Sequence, residues 1–271
     1  MNMRQPAVAG QFYPGDRKGL QRMVEEYISQ SKVEAAPERV VAIIAPHAGY
    51  IYSGPTAGYA YARIRGKQPK RVILLGCSHR CGISGASVFD TGGFAIPLGS
   101  FPIDEPFAKA LAARTESVSM QPHLYEHALE VHLPFLWVTL GSPPIVPVLF
   151  GGPADPWHVT VGQALAEMVD ESDLVIASTD LSHYLSDKRA QQIDRRTIDT
   201  VLSQNCAALI DGLMQDTCSM CGGSAVVAAM AFASARGAQA WSTLDYRTSG
   251  ATSGDYDRVV GYVSISMERA A

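Results

Sequence analysis

The sequence predicts an α/β fold in which a mostly parallel, mixed central sheet is covered by helices on both faces. Three observations carry this. Four apolar runs, at 40–45, 71–76, 144–149 and 174–178, continue without polar alternation, which suits strands buried on both faces rather than strands with one wet face. Segments with helical spacing lie between those runs, and regular strand–helix alternation is the pattern of parallel strands joined by crossovers. Across 271 residues, 47% are apolar and only 18% are charged, enough apolar surface for a large core and too little charge for pervasive disorder. No linker, low-complexity stretch or repeat interrupts the chain, so residues 1–271 read as a single domain.

Taken in order, Asp16 caps a helix that places Leu20, Met23, Val24, Tyr27 and Ile28 on one face. A polar loop at 34–38 leads into the strand 40–45, and a helix is expected over 55–65 before the strand 71–76. The stretch 86–102 differs: its short β-prone pieces and several glycines predict a hairpin excursion at one sheet edge. Helices follow at 105–114 and 127–140, then the strand 144–149, a helix at 157–169 and the strand 174–178. Helices at 188–202 and 223–236 and a last strand at 259–267 complete the series.

Charge and length exclude several classes of function. The formal net charge is -4, and no basic run exists to neutralise phosphates, so a nucleic-acid surface is not expected. The densest basic stretch, 63–71, is broken by Gly66 and Pro69 and reads as a solvated helix end and loop. No apolar run approaches the ~18 residues that span a bilayer, and the first residues lack the basic-then-apolar order of a secretory signal. Five cysteines scattered through apolar contexts suit a reducing cytoplasm better than a disulfide framework.

Ionisable side chains fall where a parallel sheet would gather them. His47 follows the first apolar run, His79 the second, and Asp180 and His183 the run at 174–178. The carboxyl ends of parallel strands line the ligand crevice. Each histidine alone reads most simply as a loop or core residue satisfied by backbone hydrogen bonds; three strand ends with one arrangement favour a shared pocket. Imidazole serves there as metal ligand or as acid and base.

The segment Cys218-Ser219-Met220-Cys221-Gly222-Gly223 immediately precedes a predicted helix, where the macrodipole favours a thiolate. Cys218 and Cys206 read as small buried hydrophobes. A zinc ribbon pairing Cys77 and Cys81 with Cys218 and Cys221 fits by local spacing, but its halves stand far apart in sequence. A Cys218/Cys221 redox pair lacks the strand that should directly precede it. His127 and His132 are five apart, about 140° around a helix, so one helical face does not present both. Glu126 and Glu130 either face the site or merely cap and solvate that helix.

Together these motifs resemble the Memo family. The likeness rests on Pro46-His47-Ala48-Gly49-Tyr50 with Ser53-Gly54, on Ser78-His79, and on Glu126-His127 with Glu130 and His132-Leu133-Pro134. It continues through Ser178, Asp180, Ser182-His183-Tyr184, Cys221-Gly222 and Val259-Val260-Gly261-Tyr262, and it begins at Arg4-Gln5-Pro6-Ala7-Val8-Ala9-Gly10-Gln11-Phe12-Tyr13-Pro14. Each motif is short; the ordered set is specific and covers nearly the whole chain.

The resemblance implies the fold of class III extradiol dioxygenases, which hold iron through two histidines and a glutamate. It implies a mononuclear metal, Fe(II) or copper, with zinc as an alternative, held by His47, His79 and Cys221. A thiolate then stands where the dioxygenases use a carboxylate, which shifts preference toward copper or zinc. Asp180 and His183 would be the acid/base pair, and Tyr50, His127, His132 and Tyr184 the contacts to a small-molecule or peptide ligand. The resemblance also implies radical-SAM and AMMECR1-like proteins as partners. The expected function is a dioxygenase-like redox protein, with a non-catalytic peptide-binding module or a zinc-dependent hydrolase as alternatives.

Overall fold

The computed structural model describes residues 3–270. After a short strand β1 (Met3–Arg4), the chain runs through α1 (Arg17–Gln30), β2 (Val40–Ala45), α2 (Tyr50–Arg63) and β3 (Val72–Cys77). Next come β4 (Gly85–Val88), β5 (Gly93–Ile96), β6 (Gly99–Pro102), α3 (Glu105–Arg114), α4 (Leu133–Leu140), β7 (Ile145–Gly151) and α5 (Pro156–Met168). The remainder is β8 (Leu174–Ser178), β9 (His183–Leu185), α6 (Asp187–Leu202), α7 (Cys206–Met214), α8 (Gly223–Ala235), β10 (Ala238–Thr248), α9 (Gly250–Ser253) and β11 (Val259–Arg269).

The main sheet has the order β10-β11-β2-β8-β3-β7-β4, with β9 paired to β11. Its inner four strands, β2, β8, β3 and β7, are mutually parallel. Antiparallel strands finish both edges: β11 and β10 on one side, β4 on the other. The uninterrupted apolar runs thus sit where both sheet faces are covered, and every residue of β2 and β8 is buried. Helices α1, α2 and α4 pack together, as do α5, α7 and α8, the last lying across β2, β3, β7 and β8. No helix among the described residues is long and apolar enough to cross a membrane.

Several expectations change in detail. The stretch 86–102 divides: β4 joins the main sheet beside β7, while β5 and β6 form a hairpin in a separate three-stranded sheet with β1. Helix α2 starts at Tyr50 and runs through Pro55, because Tyr52 and Ser53 donate to the Gly49 carbonyl and establish the first turn before the proline. The helix expected over 127–140 is α-helical only from Leu133, with Pro134 in its first turn and a single 3₁₀ turn, Glu130–His132, before it. Proline donates no N–H and so belongs in a helix's first turn. Neither α7 nor β10 is foreseen. The basic stretch is not a solvated loop: Arg63 donates to both Glu268 oxygens at 2.8 and 2.9 Å, and buried Arg71 pairs with Asp104 at 3.1 Å and Asp173 at 3.5 Å. Buried Lys67 donates to the Pro37 carbonyl at 3.0 Å.

The N-terminal segment is tied to the body by one buried carboxylate. Glu130 accepts from the Arg4 guanidinium, from the backbone of Ala7 at 2.7 Å and Val8 at 3.1 Å, and from the Tyr13 hydroxyl at 2.6 Å. Removing one member of a buried pair strands the other charge. Glu130→Ala is therefore expected to lower unfolding free energy by about 3–5 kcal/mol, read as a drop in denaturant midpoint; an unchanged midpoint would show that Arg4 finds another partner.

Two histidines are held neutral in the core. His132 takes the Tyr61 hydroxyl at 2.8 Å, and burial pushes its pKa down to about 3. His123 meets the Ser87 carbonyl at 2.9 Å and is lowered to about 4, again mainly by burial. A depressed folded pKa contributes stability that is complete above the unfolded value and is lost as pH falls through the folded one. For His132 the window runs from about 6.5 down to about 3. Within it, His132→Gln should flatten the fall of stability with acid by about 1.4 kcal/mol per pH unit, measured by denaturation at stepped pH. Parallel profiles for variant and parent would sink the assignment.

Candidate metal centre

Three neighbouring parallel strands end on the same side, and each places a polar residue two positions beyond its end. Ala45 of β2 registers with Ser178 of β8, and β8 registers with β3 on its other side. His47, Asp180 and His79 follow Ala45, Ser178 and Cys77 by two residues; register sets Asp180 level with His47 and leaves His79 one residue further along at the same end of the sheet.

The fourth contribution comes from the start of α8. The Cys221 N–H donates to the Asp180 carbonyl at 3.2 Å, the Asp180 N–H points at the Cys221 sulfur at 3.3 Å, and the Gly222 N–H donates to Thr179 Oγ1 at 2.9 Å. A Cβ on Gly222 would lie 2.2 Å from the Ser178 carbonyl oxygen. Only glycine lets the helix start close on the strand end this tightly.

The result is a cluster of His47, Cys77, His79 and Cys221 whose donor atoms all lie within 4.8 Å of one another. Cys221 Sγ is 3.2 Å from His47 Nε2, and Cys77 Sγ is 3.5 Å from His79 Nε2. Both imidazoles are oriented from behind. The Ser178 hydroxyl gives its proton to the Ala128 carbonyl at 2.6 Å, so at 2.7 Å it accepts from His47 Nδ1 and leaves His47 Nε2 facing the sulfur. Glu126 accepts from the His79 backbone at 2.6 Å and from His79 Nδ1 at 3.0 Å, turning His79 Nε2 inward. Carboxylate or hydroxyl support behind an imidazole is what fixes a metal-binding tautomer.

The electrostatics separate the two thiols. Contact with the Cys77 thiol and with both imidazoles holds Cys221 well below the usual thiol range despite burial. Cys77 moves the opposite way, pushed up by the neighbouring Cys221 and by burial. Burial opposes charge on His79, but Cys221 and Glu126 outweigh it and raise its pKa to about 10. His47 is likewise raised by Cys221 and Asp180 against the cost of its burial. These directions favour protonated imidazoles beside a deprotonated Cys221, and imidazoles must give up their protons to ligate a cation. Two imidazoles with backing partners and a thiolate form a donor set suited to a transition metal.

Asp180 lies against the cluster: Oδ1 accepts from the His47 backbone at 2.8 Å, and Oδ2 is 3.9 Å from His47 Nε2. Burial raises its pKa. His127 is also close, its ring centred 4.6 Å from His79 and 5.4 Å from His47. Its Nδ1 is 3.1 Å from Glu126 Oε1 but too poorly aligned for a hydrogen bond, so that buried nitrogen is unpartnered. His183 begins β9, outside the four-donor group, and Tyr184 beside it is 66% exposed in the left-handed region at φ 61°.

Tyr50 and His132 are not brought to the cluster. The Tyr50 hydroxyl is spent on the Val131 carbonyl at 2.6 Å, its ring packs on Phe135, and His132 lies in the core against Tyr61. Sequence reasoning missed Cys77 as a cluster member and left Glu126 undecided. The signal for Cys77 was its place at a strand end two residues before His79. The ribbon alternative does not form: Cys81 is exposed, and Cys218 sits against Thr200 Oγ1 at 3.6 Å. A cavity of about 240 Å³ beside α7 and α8 reaches Cys221 but neither histidine of the cluster; on the histidine side, His79 is open to solvent, its side chain 29% exposed.

The chain is similar to known proteins over nearly its full length. A family profile described as Memo-like protein matches residues 4–266. A MEMO1 family protein of Methanopyrus kandleri is 36% identical, covering 98% of this chain and 99% of its own length. One from Methanosarcina mazei is 34% identical over 99% of this chain and 100% of its own. Among solved structures, an uncharacterised protein of Escherichia coli K12 aligns over 84% of this chain and 100% of its own, with a TM-score of 0.51 at 12% identity, a likeness of fold alone. With a profile match spanning nearly every described residue and full-length relatives above 30% identity, the chain belongs to the Memo family.

Proposed function

We propose that the protein is a mononuclear metal protein of dioxygenase-like type, acting by redox chemistry on a small molecule. The observation that carries the reading is the convergence of His47, His79 and Cys221, with both imidazole Nε2 atoms turned inward by Ser178 and Glu126. A bound iron or copper ion would supply one-electron redox chemistry and coordination positions open to the small molecule.

The chain's own residues have separate tasks in this reading. His47, His79 and Cys221 hold the ion. Asp180, whose carboxyl is raised by burial, stands beside the donors as the group placed to take or give a proton, with His183 at the start of β9 as its partner. His127, its Nδ1 turned to Glu126 at 3.1 Å, lays its ring beside whatever enters at His79. Tyr184, exposed and stacked beneath Arg258 at 5.3 Å, supplies an aromatic face at the entrance. Five unpaired cysteines fit a reducing compartment such as the cytoplasm.

Purified protein is expected to retain about one iron or copper ion per chain by elemental analysis, and His47→Ala to lose it while far-UV dichroism stays unchanged. Protein without stoichiometric metal, or a variant with undiminished content, would overturn the reading. Spectra of aerobic and anaerobic preparations separate a redox ion from zinc. Gly222→Ala tests the geometry rather than the donors. The added methyl must push the α8 start off β8, so metal should dissociate faster in a competition with chelator; retention equal to the parent would show that Cys221 reaches the ion without this close approach.

A further inference from the structure

We propose that Cys77 is a fourth protein ligand, making the centre a two-nitrogen, two-sulfur site that favours a soft, four-coordinate ion, copper(I) or zinc, over iron. The inference rests on the metal-site reading above and sharpens its ligand set and metal class.

Cys77 is the last residue of β3, and strand alternation fixes where it points. Its predecessor Gly76 faces the loop before α4, where a Cβ would meet Leu129 at 2.7 Å. Cys77 therefore turns to the opposite face, where its sulfur stands within 4.8 Å of that of Cys221 at the start of α8 and beside the inward edge of His79. Metal–sulfur bonds of about 2.3 Å and metal–nitrogen bonds of about 2.0–2.1 Å place neighbouring donors of a tetrahedron roughly 3.3–3.8 Å apart. Cys77 Sγ stands 3.5 Å from His79 Nε2, and Cys221 Sγ stands 3.2 Å from His47 Nε2. Those separations already approach the edges of such a polyhedron. Neither sulfur is engaged in a disulfide.

The chemical consequence concerns selectivity. Three protein ligands leave a catalytic ion an open position, whereas four of the type Cys₂His₂ close a tetrahedron. A second thiolate also softens the donor set toward copper(I) and zinc. A small molecule then reaches the ion only by expanding its coordination or displacing a ligand. Of the four donors, Cys77 is the one with neither a hydroxyl nor a carboxylate behind it to hold it in place.

The test uses Co(II) as the probe, loaded anaerobically into the full-length reduced chain. Two thiolates on the ion should give a sulfur-to-cobalt charge-transfer absorbance that falls by about half in Cys77→Ser, as one of two thiolate ligands is lost. Cys77→Ala should match it. Cys81→Ser, which alters an exposed thiol nearby, should leave the band at full intensity. X-ray absorption of the zinc-loaded parent, which needs no variant to fold, should report two sulfur neighbours. Full intensity in both Cys77 variants, or one sulfur neighbour in the parent, overturns the inference while leaving the metal centre intact. A chain that holds iron but takes up neither cobalt nor zinc overturns the inference alone; a chain that binds none of iron, copper, cobalt and zinc overturns the reading on which it rests as well.

Discussion

The site depends on one close approach, that of the α8 start to the end of β8. Three adjacent parallel strand ends supply two histidines and an aspartate at one end of the sheet, but the anionic ligand has to arrive from elsewhere in the chain. It arrives because Gly222 has no Cβ, which lets its backbone rest on the Ser178 carbonyl while its N–H reaches Thr179 Oγ1. Reciprocal hydrogen bonds between Cys221 and Asp180 then fix the sulfur beside His47. Because the same short stretch, Ser178 to Asp180, also orients His47 from behind and beside, the thiolate and the imidazole are referenced to one piece of backbone. A displacement of α8 moves one relative to the other and spoils both.

Around that contact, charge is arranged so that the donors are ready without being satisfied. Glu126 is buried, which works against its charge, yet contacts with His127, His79 and the Ala128 backbone hold its pKa far below the carboxylate range. A permanent carboxylate behind His79 keeps that ring's Nδ1 occupied and its Nε2 inward. The ring protons that stabilise Cys221 as a thiolate are the same ones a cation must expel, so ion binding exchanges one compensated arrangement for another rather than introducing bare charge.

Much of this was legible in the sequence because parallel sheets leave a clear trace. Continuous apolar runs identified β2, β3, β7 and β8, and the crevice rule for strand ends pointed to His47, His79 and Asp180. What remained hidden was of two kinds. Edge strand β10 has exposed or half-buried residues along most of its length and no apolar run to announce it. Cys77 reads as the tail of a hydrophobic strand, since a half-buried thiol and a ligand look alike until the partner sulfur is placed opposite.

The segment 126–132 shows why periodicity misled where composition did not. Its polar residues follow no helical face because they serve three different destinations in a turn that is not α-helical. Glu126 supports His79, Glu130 gathers Arg4, Tyr13 and the N-terminal backbone, and His132 sinks into the core against Tyr61. The Glu126 carboxylate does two jobs at once: Oε1 accepts from the His127 and Ala128 amides at 2.9 and 3.0 Å, as an N-cap would, and the same group takes the His79 backbone and Nδ1. The α-helix itself begins only at Leu133, so this turn spends its polar groups on separate partners rather than on a helical ladder. The loss of regular structure here is what joins the N-terminal segment, the core and the metal centre through seven consecutive residues.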